Sequence, residues 1–341
     1  MYLSQHTTLC NKAIKQLNIF VILICIMEEN RKLISILTPC YNEEGNVPVV
    51  YERVKTILEK FPWYYYEHLF IDNDSSDGTP EILREIAARD KNVKVIFNAK
   101  NFGVNRSGWH AFHHVKGDAV ISIVADMQDP PEMIAQFLEK WEEGYQVVIG
   151  VKNKSKENFI MFGIRKAYYN ILNNISDTDL VKNFTGFGLY DRSFIDITLN
   201  LSDPVPYFRG LIPEFGIKRF EINYVQPKRR SGKTKQSFTT LYDEAMLGFV
   251  SHSKLPLRLA SFTGYSIAFL SLMVAVGYFV YKLVFWNEFK LGLAPLVIGV
   301  FFLSSVQLIF IGVIGEYVGA IWSQLHLKDR PLVIEKERIN F

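Results

Sequence analysis

Apolar positions along residues 32–151 recur with two periods, one typical of β-strands and the other of α-helices. Short apolar runs rich in β-branched residues predict strands at 33–38, 68–72, 93–98, 119–126 and 146–151. Helical spacing of apolar residues predicts helices at 48–60, 79–89, 103–115 and 130–142. This strict alternation predicts an α/β domain with a parallel sheet covered on both faces. Ligands of such sheets bind beyond the carboxyl ends of the strands, so the loops at those ends form the candidate site.

Two longer apolar segments follow nearer the C-terminus. Residues 259–281 and 291–315 contain no charged side chain, and a membrane-spanning helix needs roughly 20 apolar residues. Helices buried in a soluble core are the alternative. The predicted spans are 258–283 and 291–316, followed by a tail at 317–341. Lys254 and Arg258 precede the pair and Lys328 and Arg330 follow it, which predicts a multi-pass inner-membrane protein with both termini cytoplasmic.

Residues 1–31 are predicted to be an extension outside the folded domain. The apolar stretch 19–27 resembles the first parts of a signal peptide, but acidic residues follow it in place of a cleavage site. A translation start at Met27 is therefore the preferred interpretation. The three cysteines show no metal-binding spacing, and a net charge of +3 is too small to indicate a nucleic-acid partner.

Acidic and amide side chains follow the first, second and fourth predicted strands. They lie in residues 39–44, 72–79 and 126–131, which read PCYNEE, DNDSSDGT and DMQDPP. Such loops are often only caps and turns, and Asp77 fits that interpretation equally well. Their convergence on one sheet edge favours a site for a divalent cation and for the base and ribose of a nucleotide. Mg²⁺ is commonly held by one or two carboxylates together with substrate phosphates.

These loops, the segment Asn101-Phe102-Gly103 and the paired apolar segments together resemble the inverting GT-A glycosyltransferases of family 2. Within that family they are most similar to the branch of dolichyl-phosphate mannose synthase and the bacterial polyprenyl-phosphate (bactoprenol) glucosyltransferases. The resemblance runs from about residue 33 to the tail. It implies a Rossmann-like, mostly parallel GT-A domain at 32–227, a basic and amphipathic juxtamembrane region at 228–257 and two transmembrane helices.

The resemblance also implies roles for matching positions. Nucleotide contacts are expected from Pro39, Tyr41, Asn42, Glu43, Ile71, Asp72, Asn73, Ala125 and Lys152. Asp126 and Gln128 are expected to hold Mg²⁺ or Mn²⁺ on the diphosphate, and the candidate catalytic residues are Asp126, Gln128 and Asp129. Acceptor phosphate is expected to bind Arg165, Arg209, Arg229, Arg230, Lys233 and Lys235.

Three positions depart from the family pattern. Val124 replaces the first aspartate of the usual Asp-Ala-Asp metal motif, and Asn73 replaces the second aspartate of the loop after the second strand. The segment 186–188 lacks the usual aspartate and arginine. The second aspartate and the glutamine of the metal motif remain, so metal binding is still expected.

The resemblance implies inverting transfer of a sugar from a UDP- or GDP-sugar to a polyprenyl phosphate, for modification of cell-envelope glycans. An ionised phosphate can attack without a strong general base, and Cys40 is accordingly interpreted as a core-edge residue and not as a nucleophile. The five basic residues within 228–235 either grip the lipid phosphate or only attract anionic lipid. The adjacent residues His113 and His114 are not expected to bind a metal ion as a pair, because neighbouring helical residues do not share a face.

Other interpretations stay open. A processive polysaccharide synthase is disfavoured, because the chain contains no Arg-Trp pair. A diacylglycerol-type acceptor and a non-catalytic, membrane-anchored nucleotide-sugar binder are the remaining alternatives, and homo-oligomerisation is compatible with each.

Overall fold

The computed structural model describes residues 31–154, 181, 183–201, 203, 206, 208–227, 229–230, 246, 255–285, 293–328, 331 and 333–341. Its strands are β1 Leu33–Cys40, β2 Tyr65–Asp72, β3 Val93–Asn98, β4 Ala119–Ser122, β5 Val147–Lys154, β6 Phe184–Asp191, β7 Arg219–Val225 and β8 Glu335–Ile339. Its helices are α1 Val47–Leu58, α2 Thr79–Arg89, α3 Val104–Phe112, α4 Met133–Glu142, α5 Arg192–Leu199, α6 Phe208–Glu214, α7 Leu255–Val284 and α8 Leu293–Lys328.

All eight strands form one sheet in the order β7-β5-β6-β4-β1-β2-β3-β8. Strands β1 to β4 are parallel to their neighbours among themselves, and β5 is parallel to β7. Strand β6 runs antiparallel to β4 and β5, and β8 runs antiparallel to β3. The predicted mostly parallel sheet is confirmed. It also contains two antiparallel strands, β6 and β8.

The sheet separates two apolar cores. Side chains alternate between the faces with a period of two, so in β1 Ile34 and Ile36 belong to one core and Leu37 to the other. Helices α1, α2 and α4 cover the first face, and α3, α5 and α6 cover the second. Because both faces are buried, the central strands are almost continuously apolar, as expected for a doubly covered sheet.

Local signals set several boundaries where the sequence predicts them. Helix α2 and strand β3 have the predicted limits, and α2 begins with a proline in its first turn, where the missing N–H has no intrahelical partner. Strand β4 ends at Ser122, short of the predicted residue 126, and one further backbone hydrogen bond to β1 follows it, from the N–H of Ile123 to the oxygen of Leu37 at 3.0 Å. Strand β5 continues to Lys154, past the predicted end at 151, and therefore includes Lys152.

Helices α7 and α8 are long and apolar enough to cross a membrane. The qualifying stretches are Leu257–Val284 and Gly299–Leu327, and none of the most apolar part of either is buried by protein. A core helix of a soluble protein would be mostly buried. Helix α8 continues to Lys328, well past residue 316 where the sequence predicts the span to end.

The chain returns to the sheet after α8. Strand β8 pairs with β3, and the guanidinium of Arg84 on α2 lies 2.8 Å from Glu337. The amide of Asn340 donates to the backbone oxygens of Ala87 and Val93, at 2.8 Å each. Part of the tail predicted at 317–341 is therefore the eighth strand of the sheet. The predicted extension at 1–31 lies, apart from Arg31, outside the described residues.

Candidate functional site

The loops after β1 and β2 are joined to each other by hydrogen bonds. Parallel pairing places Cys40 opposite Asp72 at the carboxyl ends of both strands. The backbone N–H of Asn42 donates to Ser75 Oγ at 2.7 Å, and the N–H of Ser76 donates to Asn42 Oδ1 at 2.7 Å. Asp72 in turn accepts from the hydroxyl of Ser75 at 2.5 Å. Two of the predicted polar loops thus form one continuous surface.

The buried groups of this surface have shifted acidities. Burial raises the pKa of Asp72, although hydrogen bonds from Ser75 oppose the shift. Burial also raises the pKa of the Cys40 thiol well above its usual value, and the carboxylates of Asp72 and Glu43 add to that shift. A thiol held protonated is a poor nucleophile, which agrees with the interpretation of Cys40 as a core-edge residue.

Each of the three polar loops contains a non-glycine residue with left-handed backbone. These residues are Asn42 (φ 52°), Asp74 (φ 64°) and Met127 (φ 63°). Asn and Asp tolerate this region, but Met has no side-chain group that compensates for it. Strained backbone is common at functional sites, and here it occurs in each of the three loops that the sequence predicts to form the site.

Asn73 uses its whole side-chain amide to hold neighbouring loop residues. Its Nδ2 donates to Asn101 Oδ1 at 2.8 Å, while its Oδ1 accepts from Asn98 Nδ2 at 2.9 Å and from the N–H of Phe102 at 3.0 Å. An aspartate could not make the first of these bonds because it lacks the N–H. The departure from the family pattern at this position therefore has a structural reason.

Glu43 and Asp126 face a single cationic side chain. Arg229 contacts the Glu43 carboxylate through Nη2, and its Nη1 lies 3.7 Å from Asp126 Oδ2. The other oxygen of Asp126 accepts from the N–H of Gln128 at 3.0 Å. The Asp126 side chain is only 15% exposed. Two carboxylates converging on one positive charge are the kind of oxygen ligands that Mg²⁺ and Mn²⁺ prefer, so these residues fit a divalent cation.

Asp129 is the buried aspartate of the same loop, and it anchors the loop to the domain. It is 3% exposed, and the hydroxyl of Tyr224 on β7 donates to its Oδ1 at 2.9 Å. Burial raises the pKa of Asp129 to about 6, and the positive charge of Lys152 partly opposes that shift. The structure thus places Asp129 and Lys152 close enough to interact electrostatically. The hydroxyl of Tyr224 links β7 to the loop.

Comparison with known proteins identifies the family. Residues 35–197 match the family model described as glycosyl transferase family 2. The glycosyltransferase YkcC of Bacillus subtilis is 34% identical over 304 residues, which cover 88% of this chain and 92% of that protein. The chain belongs to glycosyltransferase family 2. A bactoprenol glucosyl transferase of Shigella phage SfII is 32% identical to this glycosyltransferase over 305 residues, covering 89% of this chain and 97% of the phage protein.

A more distant similarity is found among solved structures. Glucosyl-3-phosphoglycerate synthase from Mycobacterium tuberculosis, in complex with Mn²⁺, UDP and phosphoglyceric acid, is 17% identical. The match covers 66% of this chain and 78% of that one, with a TM-score of 0.44. The functional assignment of this glycosyltransferase therefore depends on its family and its own residues.

The remaining predicted nucleotide contacts differ in exposure. Pro39 and Tyr41 are half-buried at the end of β1. Ile71 and Ala125 are buried, at 0% and 2% exposure. Gln128 is half-buried beside Asp126.

The predicted phosphate-binding residues are only partly described. Arg230 lines an open cavity of about 460 Å³ beside the loop 126–131, together with Arg53, Met127, Pro130, Glu132 and Pro227. The backbone of Arg209 lies in α6, while its side chain and all of Arg165, Lys233 and Lys235 lie outside the described residues. The cavity therefore lies between Arg230, a predicted phosphate-binding residue, and the loop that contains Asp126.

Sequence reasoning missed Ser75 and Tyr224 as site residues. Ser75 lies inside the predicted aspartate-rich loop, so its position gave a signal that could have been used. Tyr224 is one aromatic residue of a distant strand, and nothing in its local sequence indicates that it contacts Asp129.

Proposed function

We propose that this glycosyltransferase moves a sugar from a nucleotide-sugar donor to the phosphate of a polyprenyl-phosphate lipid at the cytoplasmic surface of the membrane. The single observation that carries the proposal is that the carboxylates of Glu43 and Asp126 converge on one positive charge, the guanidinium of Arg229, at the carboxyl edge of the sheet. Relatives named bactoprenol glucosyl transferase, at up to 32% identity over most of the chain, support the choice of acceptor.

Asp126 and Gln128, with Glu43 on the other side of Arg229, would hold Mg²⁺ or Mn²⁺, which when bound neutralises charge on the donor diphosphate. Arg229 is already at this position and would contact the same phosphates once the donor enters, because a guanidinium binds phosphate oxygens well. The joined loops that contain Asn42 and Asp72 would receive the base and ribose.

The acceptor phosphate would attack the anomeric carbon from the face opposite the leaving group. A bond forms between that carbon and a phosphate oxygen, while the bond between the carbon and the diphosphate oxygen breaks. The electron pair leaves with the nucleoside diphosphate, and the configuration inverts. A phosphate monoester is mostly ionised at neutral pH, so no protein group needs to remove a proton. Arg230, which lines the adjacent cavity, would bind the incoming phosphate.

The path of the chain supports a two-span anchor with both ends on one side. Helix α7 follows the sheet domain, and the residues after α8 return to the same sheet as β8. If the chain crossed the bilayer once, β8 and β3 would lie on opposite sides of it. Two crossings bring the chain back to the side of the sheet domain, where β8 pairs with β3. The unburied apolar surfaces of both helices are suited to contact lipid. Positive residues outside the helix pair support a cytoplasmic location for the sheet domain.

Transfer of labelled sugar to polyprenyl phosphate tests this function. Membranes containing the full chain are supplied with UDP- and GDP-sugars in turn, with and without EDTA. We expect one donor to give a lipid product that mild acid releases, and EDTA to abolish its formation. Donor binding without turnover for every sugar would instead favour a non-catalytic binder. An acid-stable product would argue for an acceptor without the sugar–phosphate linkage.

A further inference from the structure

Two histidines in and directly after α3 meet Glu335, the first residue of β8. His110 lies in α3 and His114 in the turn directly after it, four residues later. His110 Nε2 lies 2.5 Å from Glu335 Oε1, and His114 Nε2 lies 3.6 Å from the same oxygen. The three side chains are only 14–16% exposed. We call this group the His-His-Glu cluster.

The hydrogen bonds of the cluster orient its ligand atoms. His114 Nδ1 lies 2.9 Å from the backbone oxygen of His110, so in the neutral ring the proton is on Nδ1 and the Nε2 lone pair points toward Glu335. The two imidazole rings lie 4.5 Å apart between centroids. One potential ligand atom from each residue lies within 4.8 Å of the other two.

This geometry is close to that of a metal site. Ligand atoms around a tetrahedral Zn²⁺ lie roughly 3.3 Å from each other, because Zn–N and Zn–O distances are about 2.0–2.2 Å. Small shifts of the His110 ring and the Glu335 carboxylate would produce this spacing. Imidazole nitrogens and a carboxylate oxygen favour Zn²⁺ over Mg²⁺, which prefers oxygen ligands alone.

We propose that His110, His114 and Glu335 form a binding site for a divalent transition-metal ion, with Zn²⁺ as the best match. The bound ion would fasten β8, which follows the last membrane helix, to α3 of the sheet domain. Glu335 pairs with Asn98 across the β3–β8 register, and Asn98 donates to Asn73 of the nucleotide loop. The ion would therefore lie next to the loop 72–79, which we assign to donor binding, but outside the donor site itself.

Arg338 competes with the metal for the carboxylate. Its Nη2 lies 2.7 Å from Glu335 Oε1, and its Nε contacts the other oxygen. The side chain of Arg338 is 46% exposed and can turn into solvent. The carboxylate would then be available to the ion, at the modest cost of a partly exposed ion pair.

Zinc binding to the full chain in detergent tests the proposal. Metal-stripped protein is titrated with Zn²⁺ by calorimetry in excess Mg²⁺, so that Mg²⁺ occupies the donor site, and bound zinc is measured by elemental analysis. We expect one equivalent in the wild-type protein. His110→Ala/His114→Ala and Glu335→Gln should each weaken binding by more than about tenfold, since even changes behind the ligands have such effects.

His113→Ala is the matched control, because His113 bonds to the backbone oxygen of Trp109 and lies outside the cluster. It should retain the full equivalent, and Arg338→Gln should bind zinc as tightly as the wild type or more tightly. Absence of zinc binding in the wild type, or unchanged binding in the double variant, would overturn the proposal.

Cobalt binding to the wild-type chain gives a check that does not depend on how well any variant folds. Co²⁺ in the cluster should show visible bands without thiolate charge transfer. Cysteine-to-cobalt charge transfer would assign the metal to Cys10, Cys25 or Cys40 and contradict the proposal.

Discussion

The two halves of the proposed donor site are held in different ways. On the side of β2, Asn42, Asp72 and Asn73 are fixed by a network of short neutral and charged hydrogen bonds. On the side of β4, Asp126 is held by one backbone N–H and by a long contact to Arg229. The first half is rigid before any ligand arrives, as suits a flat base and ribose. The second could exchange the guanidinium of Arg229 for a metal ion, as would suit the proposed diphosphate, which arrives with its metal and departs after each turnover.

The largest expected effect comes from removing the negative charge of Asp126, on the side of β4. Asp126→Asn should lower the rate of sugar transfer by about 100- to 1000-fold, because charge stabilisation of the leaving group is lost. The melting temperature should change little, since Asp126 makes few contacts. Asp74→Asn is the matched control, because Asp74 is exposed in the neighbouring loop and Asn tolerates its left-handed backbone. Activity of Asp126→Asn within tenfold of the wild type would contradict the assignment.

Asn73→Asp tests the rigid half. The substitution removes the N–H that binds Asn101 Oδ1 and places a buried charge beside that oxygen. We expect the free energy of unfolding to fall by about 1–3 kcal/mol, with weaker donor binding. Denaturant unfolding measures the first and calorimetry the second. Asn223→Asp, at an exposed position of β7, should leave both unchanged. Equal effects of the two substitutions would show that the Asn73 amide is not a structural link.

Acid should destabilise the strand beneath the rigid half. His68 in β2 is fully buried against Thr38, and burial lowers the pKa of its imidazole to about 3. The unfolded chain takes up a proton near pH 6.5, which the folded protein does not. The contribution of His68 is therefore fully present above pH 6.5 and is lost as the pH falls below it.

Between pH 7 and pH 5 we expect His68 to lower the free energy of unfolding by about 2 kcal/mol. Denaturant unfolding at both pH values measures this change. His68→Gln should flatten the pH dependence, because glutamine does not titrate. An equally steep dependence in this variant would assign the proton uptake to another group.

The smallest expected effect concerns Arg229. If its guanidinium competes with the divalent cation in the donor-free protein, Arg229→Gln should raise Mn²⁺ affinity by up to about fivefold, since a partly exposed ion pair is worth up to about 1 kcal/mol. Electron paramagnetic resonance of free Mn²⁺ measures this affinity. Arg53→Gln, which removes a surface pair with Glu132, is the control and should have no effect. Unchanged affinity in Arg229→Gln would show that the arginine and the metal do not share the position.

Local features made much of this fold predictable. Both ends of helix α2 and of strand β3 were predicted correctly. A proline in the first helical turn and a run of β-branched residues each determine the structure of only the few residues around them. The polar loops at the strand ends were predicted for the same reason. Once the strands are known to be parallel, their carboxyl ends must meet at one edge.

Contacts between distant parts of the chain could not be predicted in this way. The pairing of β8 with β3 joins residues that are far apart in sequence, and the strand EKERI looks like a charged tail. Arg229 was expected to bind acceptor phosphate, yet its contact with Glu43 follows only from how β7 leaves the sheet. The support of Asp129 by Tyr224 is equally invisible in one sequence, because it depends on the parallel neighbour that β5 acquires.

The return of the last strand to the sheet has a mechanical consequence. If α7 and α8 lie in the bilayer, the catalytic domain is tethered to it at two points, one before the first helix and one after the second. A body attached twice cannot swivel or drift away from the lipid surface as freely as one on a single linker. The donor pocket would then stay at a constant height above the headgroups, within reach of a phosphate that cannot leave the membrane.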